Sequence, residues 1–408
     1  MVDNVLDETD HIVDMTLPTL NEDINLFFTR NGFDQDTRNE CDKYARSRFP
    51  NTTMTASQSQ GYCSYTLALS DGYILQFRPE AFKLDMDVCG DAKVIYGHLA
   101  PATTYMGIVQ GIARKDASNE SPILHAYLQE TMPGIPLSQF MKNRVESADD
   151  ARERRRRLME DLAQAFALGF HNRRYPSRGA KVIKGKVGNS IRWRLDRLKA
   201  LPGYLYTHVS EVYRQLKSVE RSPWCLTHGD LLPCNMMVDP ETGHLTGLID
   251  WAEAEWLPFG MALYGIEEVL GCDVPLGGFQ YYDDHEELRR HFWHRFLISS
   301  CHRDFGARPW LEEIQVSRKL GILLWKGIAF DDGRLDRVVE VGRDDAEMQR
   351  LELFLETSNL VGDFWTSLTC GRWLQRFPVA ISRFWGRARS RMNMSGGSFE
   401  ESKGRRES

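Results

Sequence analysis

Hydrophobic and polar residues alternate in the first third of the chain and recur at helical spacing afterwards. Tyr62-Cys63-Ser64-Tyr65-Thr66-Leu67-Ala68-Leu69 and Tyr73-Ile74-Leu75-Gln76-Phe77-Arg78 flank Ser70-Asp71-Gly72, which predicts a β-hairpin. Residues 84–99 predict a helix with Val88, Ala92, Ile95 and Leu99 on one face. Tyr105–Val109 and Ile123–Gln129 predict two further strands, and Met132-Pro133-Gly134-Ile135-Pro136 breaks any regular element. Beyond that break, Leu158, Leu162, Ala165, Phe166 and Gly169 form a helical stripe. Leu288, Phe292, Phe296 and Leu297 form another, behind a start signal at Asp283 and Asp284.

Strands followed by long helices predict an α+β chain of two lobes. The expected division is a helical extension over 1–45, with helices from Thr19-Leu20 to Phe28 and from Asp36 to Tyr44. A small β-rich N-lobe over 46–132 and a larger, mainly helical C-lobe over 133–390 follow. The Gly/Ser/charge-rich end, 391–408, is expected to be disordered. The charged run Asp149–Arg157 is expected to be a solvated helix start.

Composition narrows the class. Of 408 residues, 42 % are hydrophobic and 26 % charged, which is ordinary for a globular chain. The net charge of −6 argues against a general nucleic-acid binder. No apolar run approaches the roughly 20 residues that span a bilayer. The acidic opening MVDNVLDETDHIVDM lacks a secretory pattern. The eight cysteines are scattered without a C-x-x-C pair, so reduced, buried thiols and a cytoplasmic location are expected.

One segment carries chemistry. Leu226-Thr227-His228-Gly229-Asp230-Leu231-Leu232-Pro233-Cys234-Asn235 has the frame H-x-D-L-x-x-x-N, and Leu248-Ile249-Asp250-Trp251 follows. Met236–Val238 and Leu245–Ile249 read as strands around the turn formers Asp239–His244. Folding about Thr242-Gly243 sets Asn235 opposite Asp250. An amide oxygen and a carboxylate then converge, which suits Mg²⁺. Asp230, on the loop leading into the hairpin, is placed to orient an acceptor hydroxyl and take its proton. Phosphoryl transfer asks a protein mainly for such positioning and charge neutralisation.

These pieces resemble the aminoglycoside phosphotransferase/choline kinase family, which has a protein-kinase-like fold. The resemblance rests on HGDLLPCN, GLIDWAEAEWLPFG, YLQETMPGIPLSQF and LAQAFALGFH. QFRPEAFKLD, GKVGNSI and PFGMALYGIEEVLG resemble its filamentous-fungal branch. The resemblance spans about residues 55–335. It implies an ATP-dependent O-phosphotransferase acting on a hydroxyl of a small molecule. Asp230 matches the catalytic base, and Asn235 and Asp250 match the Mg²⁺ ligands. His228 matches the loop histidine, which acts either in the chemistry or as a pin for the loop. Tyr127–Thr131 match the hinge whose backbone would contact adenine, with Gln129 and Glu130 as contacts. The phosphate-covering loop falls at Ser57–Ser64, with Gly61 and Ser64 as contacts.

The chain departs from the family pattern at two places. The covering loop has one glycine, so it is either a phosphate cradle or a turn without a ligand. The strand position where the family usually has Lys holds Arg78, with Lys83 nearby. The acid on the next helix is Asp87 or Asp91 rather than Glu. These departures leave a kinase-like binding module as the rival reading. Glu253 and Glu255, with Trp251 and Trp256, either face a cationic acceptor or serve as helix-start acids and core. Gly185–Ser190 are an acceptor rim or a plain connection.

Overall fold

The computed structural model describes residues 19–58, 60–114, 122–142, 147–175, 191–275, 277–300, 308–331 and 334–356. All of them belong to one compact unit, Met1–Asn359. Ser59, Gly185–Ser190, Cys301-His302 and the 391–408 tail lie outside the described residues.

The N-lobe begins with α1 (Leu20–Arg30) and α2 (Thr37–Arg48). Thr19 and Glu22 form a reciprocal capping box that starts α1. Five strands follow: β1 (Met54–Ala56), β2 (Tyr65–Leu69), β3 (Tyr73–Pro79), and, after helix α3 (Met86–Tyr96), β4 (Thr103–Gln110) and β5 (Ile123–Glu130). They pair antiparallel in the order β1-β2-β3-β5-β4. The expected hairpin is present, with Tyr65 opposite Phe77 and Gly72 at φ 85° in its turn. Asp85 caps α3 by accepting from the Asp87 and Val88 amides.

Alternation gives this sheet two unlike faces. Tyr65, Leu67, Leu75, Phe77, Leu124 and Ala126 pack with Ile24, Phe27, Phe28, Cys41 and Ala45 of α1 and α2. The helices of the 1–45 segment are therefore part of the N-lobe core. The other face carries Thr66, Gln76, Arg78, His125, Tyr127 and Gln129.

The lobes are joined by β6 (Ile135–Pro136), which pairs with β8 below. The Pro/Gly-rich stretch expected to be irregular thus contributes a short strand. Gly134, at φ 98°, lies so close to Val238 that an added Cβ would sit 2.2 Å from its carbonyl oxygen. The C-lobe continues through α4 (Leu137–Lys142), α5 (Ala148–His171), α6 (Ile191–Arg197) and α7 (Gly203–Val219). Strands β7 (Trp224–Thr227), β8 (Met236–Val238), β9 (Leu245–Leu248) and β10 (Glu255–Pro258) carry the candidate site. They are followed by α8 (Tyr264–Val269), the hairpin β11 (Gly271–Val274) and β12 (Gly278–Tyr281), α9 (His285–Ser300), α10 (Arg308–Lys326), the hairpin β13 (Ile328–Asp331) and β14 (Arg334–Val338), and α11 (Asp345–Glu356).

The charged run opens α5, where Ser147 accepts from the Asp150 amide. Arg156 and Arg157 pair with Glu153 and Glu160 on the same helix, as a solvated helix start should. Arg155 instead reaches the buried Asp284, 2.9 Å away, and ties α5 to the start of α9. No helix among the described residues is long and apolar enough to cross a membrane.

Candidate active site

The loop between β7 and β8 is built around a glycine. Gly229 has φ 83°, and a Cβ there would fall 1.9 Å from the Glu253 carbonyl oxygen. Only glycine meets both conditions. On one side of it, His228 is buried. Its Nε2–H donates to the Ile249 carbonyl (2.8 Å), and its Nδ1 accepts from the Asp230 amide (3.3 Å). These roles fix a neutral imidazole, and burial holds its pKa down at about 4 against the nearby Asp250 charge. His228 therefore pins the loop, the structural member of the two expected alternatives.

Asp230 and Asn235 are bound to each other. Asn235 Nδ2 donates to the Asp230 carbonyl oxygen (2.9 Å) and to Asp230 Oδ2 (2.8 Å). With both amide hydrogens committed, Asn235 has its Oδ1 left to offer a cation. Burial and the Asp250 charge push the Asp230 carboxyl up to about 6, while the Asn235 hydrogen bond and Lys326 draw it down.

The hairpin register differs from the expected one by a residue. Met236 faces Leu248 and Met237 faces Gly247, and a bulge then sets Val238 against Leu245. Asn235 is accordingly matched to Ile249, whose amide donates to its carbonyl oxygen (2.9 Å). Asp250 stands one position further on. It adopts φ 61°, ψ 67°, the one positive-φ non-glycine among the described residues, and such backbone gathers at functional sites.

Arg78 completes the set from the other lobe. Its guanidinium is 2 % exposed. Nη2 donates to Asp250 Oδ1 (2.9 Å), Nε donates to Gln76 Oε1 (3.1 Å), and Nη1 is buried without a partner. Neither expected acid on α3 meets it. Asp87 is exposed, and Asp91 accepts from Arg174 Nη2 and Trp256 Nε1, each at 3.1 Å. Lys83 is exposed and paired with Glu80, which also binds His125 at 2.6 Å, so it does not stand in for Arg78.

The other nucleotide candidates are placed as follows. Gly61 and Ser64 bridge each other across the tip of the covering loop. The Ser64 hydroxyl is buried against Thr66 Oγ1 (3.1 Å), and Gln60 staples the loop to Thr66 through both ends of its amide. Of the two expected contacts, the Ser64 hydroxyl is thus already engaged, and Gly61 can offer only its backbone. Cys63 lies beside the site. Burial pushes its thiol up to about 12, with Arg78 opposing and Asp250 and Glu253 adding to the rise. Gln129 and Glu130 lie inside β5, where Gln129 donates to Thr103 Oγ1 (3.1 Å). Glu130 accepts from Lys93 (2.7 Å) and the Ala102 amide (2.9 Å). Their side chains hold β4 and α3, which leaves the backbone of this segment as the part that could meet adenine.

On the acceptor side, Trp251 is core: it is buried and donates Nε1 to the Leu248 carbonyl. Trp256 does meet a cation, but that cation is Arg174, 3.6 Å above its ring. Glu253 and Glu255 act on Arg194, whose guanidinium burial disfavours and their charges support.

Several residues around the loop gave no signal in the sequence. Tyr264 OH accepts from the Leu231 amide (2.9 Å), and Tyr264 stacks on Trp325, whose Nε1 donates to the Gly229 carbonyl. Tyr96 donates to the Leu226 carbonyl (2.6 Å). Lys326 and Glu268 form a buried ion pair of 2.5 Å next to the loop. An unremarkable Trp-Lys-Gly at the end of an apolar helix was the available hint.

The donor set fits Mg²⁺. Asn235 Oδ1 and the Asp250 carboxylate are hard oxygens. Two protein ligands suffice for an ion that keeps waters and takes phosphate oxygens.

Among the curated proteins, none matches the chain. The chain is similar to the solved GDP complex of aminoglycoside 2'-phosphotransferase-IIIa, at 15 % identity and TM-score 0.46, covering 80 % of this chain and 99 % of that one. It is also similar to the streptomycin-ATP-APH(2")-IIa ternary complex (14 % identity, TM-score 0.42, 78 % and 96 % covered). A third is APH(3'')-Id from Streptomyces rimosus in complex with ADP and streptomycin (14 % identity, TM-score 0.41, 70 % and 98 % covered). The family model for the phosphotransferase enzyme family, APH, matches residues 60–274, just over half of the chain and all of the loop, hairpin and strand described above. With its β-sheet N-lobe and helical C-lobe, this α+β, protein-kinase-like chain belongs to that phosphotransferase family.

Proposed function

We propose that the chain is a Mg²⁺- and ATP-dependent O-phosphotransferase whose acceptor is a hydroxyl of a small molecule. The observation that supports this reading is the Asn235 hydrogen bond to Asp230, with Asp250 following on the adjoining strand and bonded by Arg78 across the cleft. Asp230 Oδ2 is held by Asn235, which leaves Oδ1 to receive the acceptor proton. Asn235 Oδ1 and Asp250 would hold Mg²⁺, which when bound neutralises charge on the phosphates. Arg78 Nη1, buried and unpartnered, is a ready donor to a phosphate oxygen. The covering loop adds backbone amides, and the β5 end with Thr131 lines the adenine side. Six described cysteines are free thiols, which supports a reducing, cytoplasmic setting.

The direct Arg78–Asp250 contact favours a second reading, a kinase-like binding module, because it occupies one oxygen of the metal aspartate. One experiment separates them. Thermal melting with Mg-ATP is measured for wild type and Asp250→Ala, and hydroxylated metabolites are screened for a phosphate adduct by mass spectrometry. The phosphotransferase reading expects Mg-dependent stabilisation that Asp250→Ala weakens, and an adduct that Asp230→Asn abolishes while still binding Mg-ATP. No nucleotide effect in wild type overturns it.

A further inference from the structure

The neighbourhood of Asp230 contains a lysine that the phosphotransferase reading does not use. Helix α10 ends at Trp325-Lys326, and the Trp325 indole is hydrogen-bonded to the carbonyl of Gly229, the residue before Asp230. Helix α8 touches the same loop from Tyr264, which accepts from the amide of Leu231, the residue after Asp230. Four residues on from Tyr264, on the same face of α8, lies Glu268. Lys326 Nζ is 2.5 Å from Glu268 Oε1, with the two side chains 13 % and 5 % exposed. Two elements that each grip the loop around Asp230 thus combine to hold one ammonium beside it.

Glu268 anchors that charge. Its other oxygen lies 3.6 Å from Arg350 Nε, but Arg350 is held more closely by Asp273, 2.6 and 2.7 Å from its Nη2, so Glu268 serves chiefly as the partner of Lys326. The contact is an ion pair without a hydrogen bond to Glu268 Oε1, and an ammonium has three donors to offer. Arg78 comes from the N-lobe sheet and reaches Asp250, whereas Lys326 ends α10, next to the residue that holds the Gly229 carbonyl, and its charge acts on Asp230. A phosphoryl group passing towards an acceptor at Asp230 carries charge that a second cation at that carboxylate would help to stabilise.

We propose that Lys326, fixed by Glu268, contacts the terminal phosphoryl group of the nucleotide on the acceptor side of Asp230. The inference rests on the phosphotransferase reading, and its test is chosen to fail separately from it. ATP and ADP affinities are measured by calorimetry with Mg²⁺. The proteins are wild type, Lys326→Arg, and the double variant Lys326→Met/Glu268→Gln, which leaves no unpaired buried carboxylate. Wild type is expected to bind ATP more tightly than ADP. The double variant is expected to lose about tenfold in ATP affinity, with ADP affinity within about twofold of wild type. Lys326→Arg, which keeps the charge, is expected to retain most of the preference for ATP. A folded double variant with the wild-type ATP/ADP ratio overturns the role of Lys326 and leaves the phosphotransferase reading standing. A wild type that binds neither nucleotide overturns both.

Discussion

Asp230 is held by contacts that its neighbours in the chain supply. Asn235 binds its carboxylate, His228 accepts from its amide, and Gly229 lets the loop pass under Glu253. This part of the site was legible in the sequence because H-x-D-L-x-x-x-N is contiguous, so spacing alone brings the groups together. The partner of Arg78 was not legible: Asp250 lies 172 residues away, and the local helix offered acids that turn elsewhere. His228 allows a test at this scale. Burial lowers its pKa from 6.5 in an open chain to about 4 in the fold. As pH falls, the unfolded chain takes the proton first. The contribution is whole above about pH 6.5 and is lost as pH drops towards 4. Two and a half pH units correspond to about 3 kcal/mol. Denaturant unfolding across this window should show the loss in wild type and a flatter profile in His228→Asn. Equal slopes for the two proteins would mean that His228 titrates normally.

Among the elements, the β2–β3 hairpin, α3 and the long helices follow from local pattern and turn chemistry. The β8–β9 hairpin was also foreseen, but one residue out of register: its turn centres one residue before Thr242-Gly243, with the Asp239 amide donating to the His244 carbonyl, and the Met237/Val238 bulge takes back only half of that shift. The helices α1 and α2 were read as an extension because polar residues dominate them. Three apolar residues of α1, Ile24, Phe27 and Phe28, nevertheless sit at i, i+3 and i+4 and are fully buried on the sheet. Phe28 lies 5.3 Å from the Tyr65 ring and 5.1 Å from that of Phe27. Phe28→Ala should therefore behave as a core truncation and cost about 3–5 kcal/mol. Chemical denaturation would show this as a lower midpoint at similar slope. A change below about 1 kcal/mol would show that the N-terminal helices are dispensable to the lobe.

At the scale of the molecule, the two lobes meet through α3 and through the site itself. Tyr96 donates to the Leu226 carbonyl, and Asp91 accepts from Arg174 and Trp256 of the C-lobe. Tyr62 of the covering loop packs edge-on against Phe330 of β13, at 5.2 Å. The Arg78–Asp250 pair is one of several ties, and its energetics set it apart from the rest. Arg78 is almost wholly buried with one nitrogen unpartnered, while Asp250 is 43 % exposed. The cost of burying that guanidinium offsets most of its attraction to a half-solvated carboxylate. The pair is poorly explained as a stabilising bridge and well explained as a phosphate grip held ready. Arg78→Met retains the aliphatic length and removes the charge. It should change ligand-free stability by no more than about 1 kcal/mol, since Asp250 regains water. The same substitution should weaken Mg-ATP binding by about ten- to a hundredfold, the worth of one or two charge-assisted hydrogen bonds. Melting without ligand and nucleotide titration on the same samples read the two effects separately. If stability collapses while nucleotide affinity holds, Arg78 is a structural tie between lobes and the phosphates are gripped elsewhere.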